Sequence, residues 1–200
     1  SLKVFGTVYQ LNHAIEDGMM VRLRARPELH PLYNFSLQMV DVRPSGEGSI
    51  KKSFDILFAK LTKEGLFDES RKRALPYPPA RIGLITSNEA AAYGDFIKVL
   101  SARWPLMEIE LANVRVQGDS AAGEIVAALH HFNLSSDPVE VLVIIRGGGS
   151  SDDLLAFADE HLTRAIAESR IPTLVAIGHE RDESLAELAA DVRASTPSNA

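Results

Sequence analysis

At 200 residues with 46% hydrophobic content, the chain can bury a core, and its length suggests one domain with a smaller appendage. It holds no run of about 18 apolar residues and no leader-like pattern, so nothing points to membrane insertion or secretion and a cytoplasmic location is the expectation; its zero cysteines exclude disulfides and thiolate zinc sites. The net charge of -6 argues against a partner that binds by charge alone, yet residues 1–80 hold 12 Lys and Arg against 9 Asp and Glu, and residues 81–200 hold 9 against 18. A basic piece that holds a polyanion beside an acidic piece that acts on it produces this asymmetry, and so does a plain excess of surface Glu.

Period-2 alternation runs through 3–9, 19–26 and 35–42, with turn residues at Glu16-Asp17-Gly18 and across 27–34, which predicts three antiparallel strands. Short strands of this kind form part of a small β-barrel, and a complete five-stranded barrel needs more chain in front. The amino terminus is therefore expected to be a cut one. Ser45-Gly46-Glu47-Gly48 ends the pattern, after which Phe54, Leu57, Phe58 and Leu61 have the spacing of one helix face over 50–66. Arg71-Lys72-Arg73 and the prolines Pro76, Pro78 and Pro79 mark a connection. Beyond residue 80 four apolar runs, 81–86, 107–112, 139–145 and 171–177, read as strands. Helices are expected at about 89–102, 120–132, 163–169 and 183–191, with a shorter one near 152–157. The expected organisation is a partial OB-like β segment over 1–48, a helical connection over 49–80 and an α/β domain over 81–200. Its parallel sheet has helices on both faces.

Such sheets bind ligands at the carboxyl ends of their strands, so the loops after each strand carry the candidates. After the first come Thr86 and Ser87, which can bond a phosphate oxygen beside a helix N-terminus or simply cap the helix, with Ser87 or Asn88 as N-cap. Asp95 follows one to two turns inside that helix, where a lone Asp is ordinarily solvated surface. After the third strand stands Arg146-Gly147-Gly148-Gly149-Ser150-Ser151-Asp152-Asp153. Three glycines leaving a buried strand imply a close approach to the backbone or a positive φ, and successive N–H groups with Ser150 and Arg146 suit a phosphate. The spacing is neither that of a Walker A loop nor Gly-x-Gly-x-x-Gly; the plainer reading is a turn into a capped helix. After the fourth strand, His179 is a candidate acid or base and Asp182, three residues on, shares its face if a helix begins here. Asp182 as a first-turn dipole partner and His179 as a polar loop residue is the equal alternative. Asp95, Asp152, Asp153 and Asp182 could gather around magnesium, but no ligand spacing fixes such a site. Arg146 and His179 offer a metal-free way of stabilising charge, so no cofactor is expected to be required.

Taken in order, Ser45-Gly46-Glu47-Gly48, Glu64-Gly65-Leu66-Phe67-Asp68, Arg81-Ile82-Gly83-Leu84-Ile85-Thr86-Ser87, Val116-Gln117-Gly118, Arg146-Gly147-Gly148-Gly149-Ser150, Gly178-His179-Glu180-Arg181-Asp182 and Arg193-Ala194-Ser195-Thr196-Pro197-Ser198 resemble the large subunit of bacterial exodeoxyribonuclease VII. The resemblance covers nearly the whole chain. It implies an exonuclease that hydrolyses phosphodiester bonds of single-stranded DNA from either end, giving oligonucleotides with 5'-phosphates, without added divalent metal. Carried over by motif, the catalytic residues are Asp95, Arg146, His179 and Asp182, and the phosphate contacts are Thr86, Ser87, Gly147, Gly148, Gly149 and Ser150. The first strands resemble the end of an OB domain that grips single strands by stacking and basic side chains, with Arg22, Arg24, Arg26, Tyr33 and Phe35 as candidates. The family's usual Thr-Gly-Ala-Ala after the first Thr-Ser is replaced here by Asn88 and then Glu89-Ala90-Ala91-Ala92. The implied partner besides DNA is the small subunit, through a carboxyl-terminal helical region that this chain lacks, so little or no activity is expected of it alone. Two other readings stand beside this one: a non-catalytic single-stranded-DNA-binding or scaffold module, and a metabolic enzyme that binds a nucleotide or sugar phosphate on the same sheet. The basic β-rich start argues against the latter.

Overall fold

The computed structural model describes residues 3–7, 11–30, 34–148, 155–177 and 184–200. The chain divides into two compact units, Ser1–Lys60 and Leu61–Ala200.

In the first unit, β1 (Val4–Phe5), β2 (Val21–His30) and β3 (Asn34–Pro44) form a three-stranded sheet in the order β1-β3-β2. Two expectations are corrected here. β1 pairs with β3 in parallel, Val4 opposite Leu37 and Phe5 opposite Gln38, because alternation specifies which face a side chain takes but not which way its strand runs. The stretch 27–34 is mostly strand: Pro27 pairs with Leu37 inside β2, which is tolerated because β2 is an edge strand and its missing N–H can lie on the unpaired side. Arg22, Arg24 and Arg26 are exposed and alternate with the half-buried Leu23 and Ala25, so the three arginines form one stripe. The helix α1 (Glu47–Lys63) follows.

The second unit is an α/β fold, as the sequence led one to expect. Its strands β4 (Arg81–Thr86), β5 (Glu108–Asn113), β6 (Val141–Ile145), β7 (Thr173–Ala176) and β8 (Val192–Arg193) form one sheet in the order β5-β4-β6-β7-β8, parallel throughout. β6 is buried along its whole length and its side chains alternate between two cores. Leu142 and Ile144 join Ile85, Val175 and the helices α3 (Ala121–Leu134), α4 (Glu160–Ala167) and α5 (Leu185–Ala189) on one face. Val141, Val143 and Ile145 join Ile82, Leu84 and the helix α2 (Ala91–Arg103) on the other, with Phe96 at its centre. The predicted helix over 183–191 is shortened to α5, which ends at an extended Ala190 before Asp191 bonds Arg73 and Thr173, and residues 192–193 then form a fifth strand, Leu174 opposite Val192. Two residues are too few to show a strand period.

The connection before β4 is strapped to the amino ends of β7 and β8. The Arg73 guanidinium grips Asp191 with Nε 2.9 Å from Oδ1 and Nη2 2.7 Å from Oδ2. Lys72 donates to the Leu188 and Ala190 carbonyls, and Asp191 also accepts from the Thr173 N–H at 2.8 Å and its hydroxyl at 3.1 Å. Burial pushes the Asp191 pKa up, but the hydrogen bonds from Arg73 and the Thr173 and Arg73 N–H groups outweigh it and hold the value at about 2. Among the described residues no helix is long and apolar enough to cross a membrane.

Candidate active site

The strand order fixes where a ligand can bind. From β4 the chain crosses outward to the edge strand β5, and from β6 it crosses the opposite way to β7. The connections after the neighbouring strands β4 and β6 therefore part from one another, leaving a crevice at their carboxyl ends. Ile85 pairs with Ile144 in the last paired row, so Thr86 and Arg146 stand at the same rim.

Thr86 is fully buried. Its carbonyl accepts from the Val114 N–H at 3.0 Å, while its hydroxyl has no hydrogen-bond partner among the described residues. Ser87 does not cap α2: its hydroxyl accepts from the Glu89 N–H at 3.3 Å and its carbonyl from the Ala90 N–H at 3.1 Å, which makes a turn ahead of the helix. The N-cap is Ala90, which offers no side-chain bond, so neither Ser87 nor Asn88 fills that position. Among the described residues no side chain caps the first turn of α2, whose N–H groups lie at this rim.

Arg146 is 1% exposed and its N–H donates to the Ala176 carbonyl at 3.1 Å. Gly147 lies against the start of α2: a Cβ there would sit 3.4 Å from the Ala92 Cβ and 3.8 Å from the Ala92 nitrogen. At Gly148 a Cβ would meet nothing within 4 Å. Neither glycine has a positive φ, so neither the backbone nor the chain's own packing demands glycine at 148. Asp95 is exposed and lies one turn beyond Ala92, on the flank of α2 that meets Gly147.

The structure therefore gathers Thr86, Ser87, Arg146, Gly147 and Gly148 at one rim with Asp95 beside them. Gly149, Ser150, His179 and Asp182, as well as Tyr33 in the first unit, lie outside the described residues. The residues flanking the His179 segment are described. Ala176 pairs with Ile145, so the chain leaves β7 next to Arg146. Phe35 is opposite Leu29 in the β2–β3 register, an odd-numbered position of β2, and so takes the face away from the Arg22, Arg24 and Arg26 stripe. Glu187 was missed by sequence reasoning. It is 3% exposed and forms a capping box with Ser184, whose Ser-x-x-Glu signature was visible in the sequence. Among the described residues no group of three or more His, Asp or Glu gathers in a way that could hold a metal ion.

These features define a doubly wound parallel α/β protein whose strand order reverses between β4 and β6. The model of the family described as exonuclease VII, large subunit, matches residues 66–200. Proteins named exodeoxyribonuclease 7 large subunit are 45% identical over 183 residues in Xanthomonas axonopodis pv. citri (strain 306), covering 91% of this chain and 41% of that protein. They are 44% identical over 186 residues in Thermobifida fusca (strain YX), covering 92% and 46%, and 44% identical over 187 residues in Mycobacterium tuberculosis (strain ATCC 25177 / H37Ra), covering 93% and 45%. The chain belongs to the exonuclease VII large-subunit family, and it spans less than half the length of these relatives.

Proposed function

We propose that this chain carries the hydrolytic core of an exonuclease that cuts single-stranded DNA from either end into oligonucleotides with 5'-phosphates. In this reading it acts in the cytoplasm as the large subunit of an assembly with a small subunit. The observation that supports the proposal is the carboxyl-end rim of β4 and β6 in a member of this family, where the buried Thr86 hydroxyl has no partner among the described residues, α2 starts without a side-chain cap, and a Cβ at Gly148 would meet nothing within 4 Å.

In the proposed reaction a scissile phosphate sits in that crevice, accepting from the Thr86 hydroxyl and from backbone N–H groups of the glycine turn and of α2. Water attacks phosphorus, the bond to the 3'-oxygen breaks, and the released oxygen takes a proton. Arg146 stabilises the charge that builds on the phosphoryl oxygens. His179 and Asp182 take the proton from water and deliver one to the leaving oxygen. Asp95 orients the water or a cationic partner, and no metal ion is called for. Arg22, Arg24 and Arg26 hold the strand by its phosphates, whereas Phe35, on the other face of that sheet, would stack bases only from the opposite side.

The test is the complete large subunit assembled with its small subunit, incubated with end-labelled single strands with and without chelator. Cleavage is expected in both arms, and His179→Ala is expected to abolish it while DNA binding stays near normal. Turnover by that variant would remove His179 from the reaction. Salt-dependent binding with no product at any protein concentration would establish a binding or scaffold module instead.

A further inference from the structure

Asn113 ends the edge strand β5 and holds the loop that enters α2. It pairs with Thr86 in the last row of the β4–β5 register. On β4, Ile82 and Leu84 face the core that contains Phe96 of α2, whereas Ile85 faces the opposite core, so alternation puts the Thr86 side chain on the α2 face. On β5, Ile109 and Leu111 pack on the Phe96 side and Ala112 on the other, which puts Asn113 on the α2 face as well. The Asn113 Oδ1 accepts from the Asn88 N–H at 3.0 Å. The Val114 N–H donates to the Thr86 carbonyl at 3.0 Å, so the end of β5 holds the loop on both sides of Ser87. Within the loop the Glu89 N–H donates to the Ser87 hydroxyl and the Ala90 N–H to the Ser87 carbonyl, and the Tyr93 N–H donates to the Ala90 carbonyl at 3.0 Å. Among the described residues the N–H groups of Ala91 and Ala92 have no partner. Gly147 approaches them from the β6 side, where a Cβ would stand 3.8 Å from the Ala92 nitrogen.

A helix entry is ordinarily fixed by its own N-cap, whose side chain accepts from the N2 or N3 N–H and so occupies donors that an anion would use. Here the N-cap Ala90 makes no such bond, and the entry is fixed two residues earlier, from a neighbouring strand. We propose that Asn113 is a positioning residue for phosphate binding. Its carboxamide holds residues 87–90, and through them the start of α2, while the Ala91 and Ala92 N–H groups stay open to a phosphate oxygen. Donors fixed in advance need not reorganise as charge builds on the phosphoryl group. This inference rests on the reading that the scissile phosphate sits at the β4–β6 rim. The fully buried Thr86 hydroxyl, on the α2 face and without a partner among the described residues, marks that rim independently of the helix start. Asn113 acts through the loop and touches no substrate.

The experiment uses the complete large subunit with its small subunit. Asn113→Leu keeps the size and removes the acceptor, and because Asn113 is exposed, Tm is expected to change by no more than about 3 °C. On single-stranded DNA kcat is expected to fall at least about fivefold, with KM changed less than about twofold, because the loss is felt at the reacting phosphate and the rest of the strand is held elsewhere. Asn113→Asp keeps an oxygen acceptor and is expected to recover part of kcat. Its remaining deficit against the wild-type protein, caused by a carboxylate near the phosphate, should shrink as salt is added. Without DNA, amide hydrogen exchange at Asn88 should be at least about fivefold faster in the Leu variant and near normal in the Asp variant, with β4 amides protected in both. Wild-type kcat in the Leu variant, while Thr86→Val or Gly148→Ala lowers cleavage, overturns the tether and leaves the phosphate at the rim. A change confined to KM, or equal losses in the Leu and Asp variants at every salt concentration, overturns it too. If neither Thr86→Val nor Gly148→Ala lowers cleavage, the placing of the phosphate there fails, whatever Asn113→Leu does. Should Asn113→Leu not fold, an unprotected Asn88 N–H in the wild-type protein refutes the tether, and protection there and in the Asp variant, with a kcat deficit that salt relieves, supports it.

Discussion

Replacing Thr86 by Val should move stability and activity in opposite directions. The two side chains have the same branched shape, and both suit a strand, so the substitution chiefly exchanges a hydroxyl for a methyl group. The Thr86 hydroxyl is fully buried and has no partner among the described residues, and leaving such a group unsatisfied costs about 1–3 kcal/mol. Without DNA, Thr86→Val should therefore stabilise the chain by about 1 kcal/mol, which for a unit of this size raises Tm by about 2–5 °C. With DNA the sign reverses. The hydroxyl's bond to a charged phosphate oxygen is worth about 1.5–3 kcal/mol, so kcat/KM in the complete assembly should fall by about tenfold to a hundredfold. Thermal unfolding in the absence of DNA and steady-state cleavage of labelled single strands read the two effects separately. A lower Tm with unchanged kcat/KM would mean that the hydroxyl serves the fold rather than a ligand, and the crevice would lose its strongest support.

Gly148→Ala tests whether the space beside the glycine turn is reserved for substrate. A Cβ there meets nothing within 4 Å and the backbone has no positive φ, so Tm should change by no more than about 2 °C, while cleavage falls at least about tenfold if a phosphate must approach that backbone; equal activity would place the phosphate elsewhere. Asp191→Asn tests the strap at the far end of the sheet. The Asp191 pKa is held down from 3.8 to about 2, so its ionised form contributes stability above the unfolded value that disappears as pH falls from about 4 to 2. The shift corresponds to about 2 kcal/mol, which the variant should lack at pH 7. Its denaturant unfolding should approach that of the wild-type protein near pH 2, and a difference that persists undiminished at that pH would assign the loss to packing rather than charge.

Apolar runs were legible wherever a strand is covered on both faces. β4 follows its predicted span residue for residue because every position from Ile82 to Thr86 is buried, and β6 is similar. Pairing direction was not legible, since β1 carries the same alternation whether it runs with β3 or against it. Local polar chemistry misled at Ser87, whose hydroxyl serves the turn before α2, and the helix begins uncapped two residues later than predicted. The glycine run was legible as a signal but not in its cause. Positive φ belongs to Gly18, Gly46, Gly65 and Gly118, in turns and connections, while Gly147 and Gly148 leave the sheet without it. Gly147 allows a close approach to Ala92, and at Gly148 a Cβ would meet nothing within 4 Å.

Strand order was the decisive fact that no local pattern encodes. Had the five strands followed one another in sequence across the sheet, β5 would lie between β4 and β6, and Thr86 would be a strand's width, about 5 Å, further from Arg146. The crossover from β5 over β4 to β6 brings the two loops side by side, and the next pairing, Ile145 with Ala176, brings the end of β7 beside them. Thr86 and Arg146, about 60 residues apart in sequence, thus stand at one rim because of sheet topology. From the sequence alone the first loop reads more readily as a cap and the glycine loop more readily as a phosphate contact, and what no local pattern encodes is that β4 and β6 are neighbours and so set the two side by side.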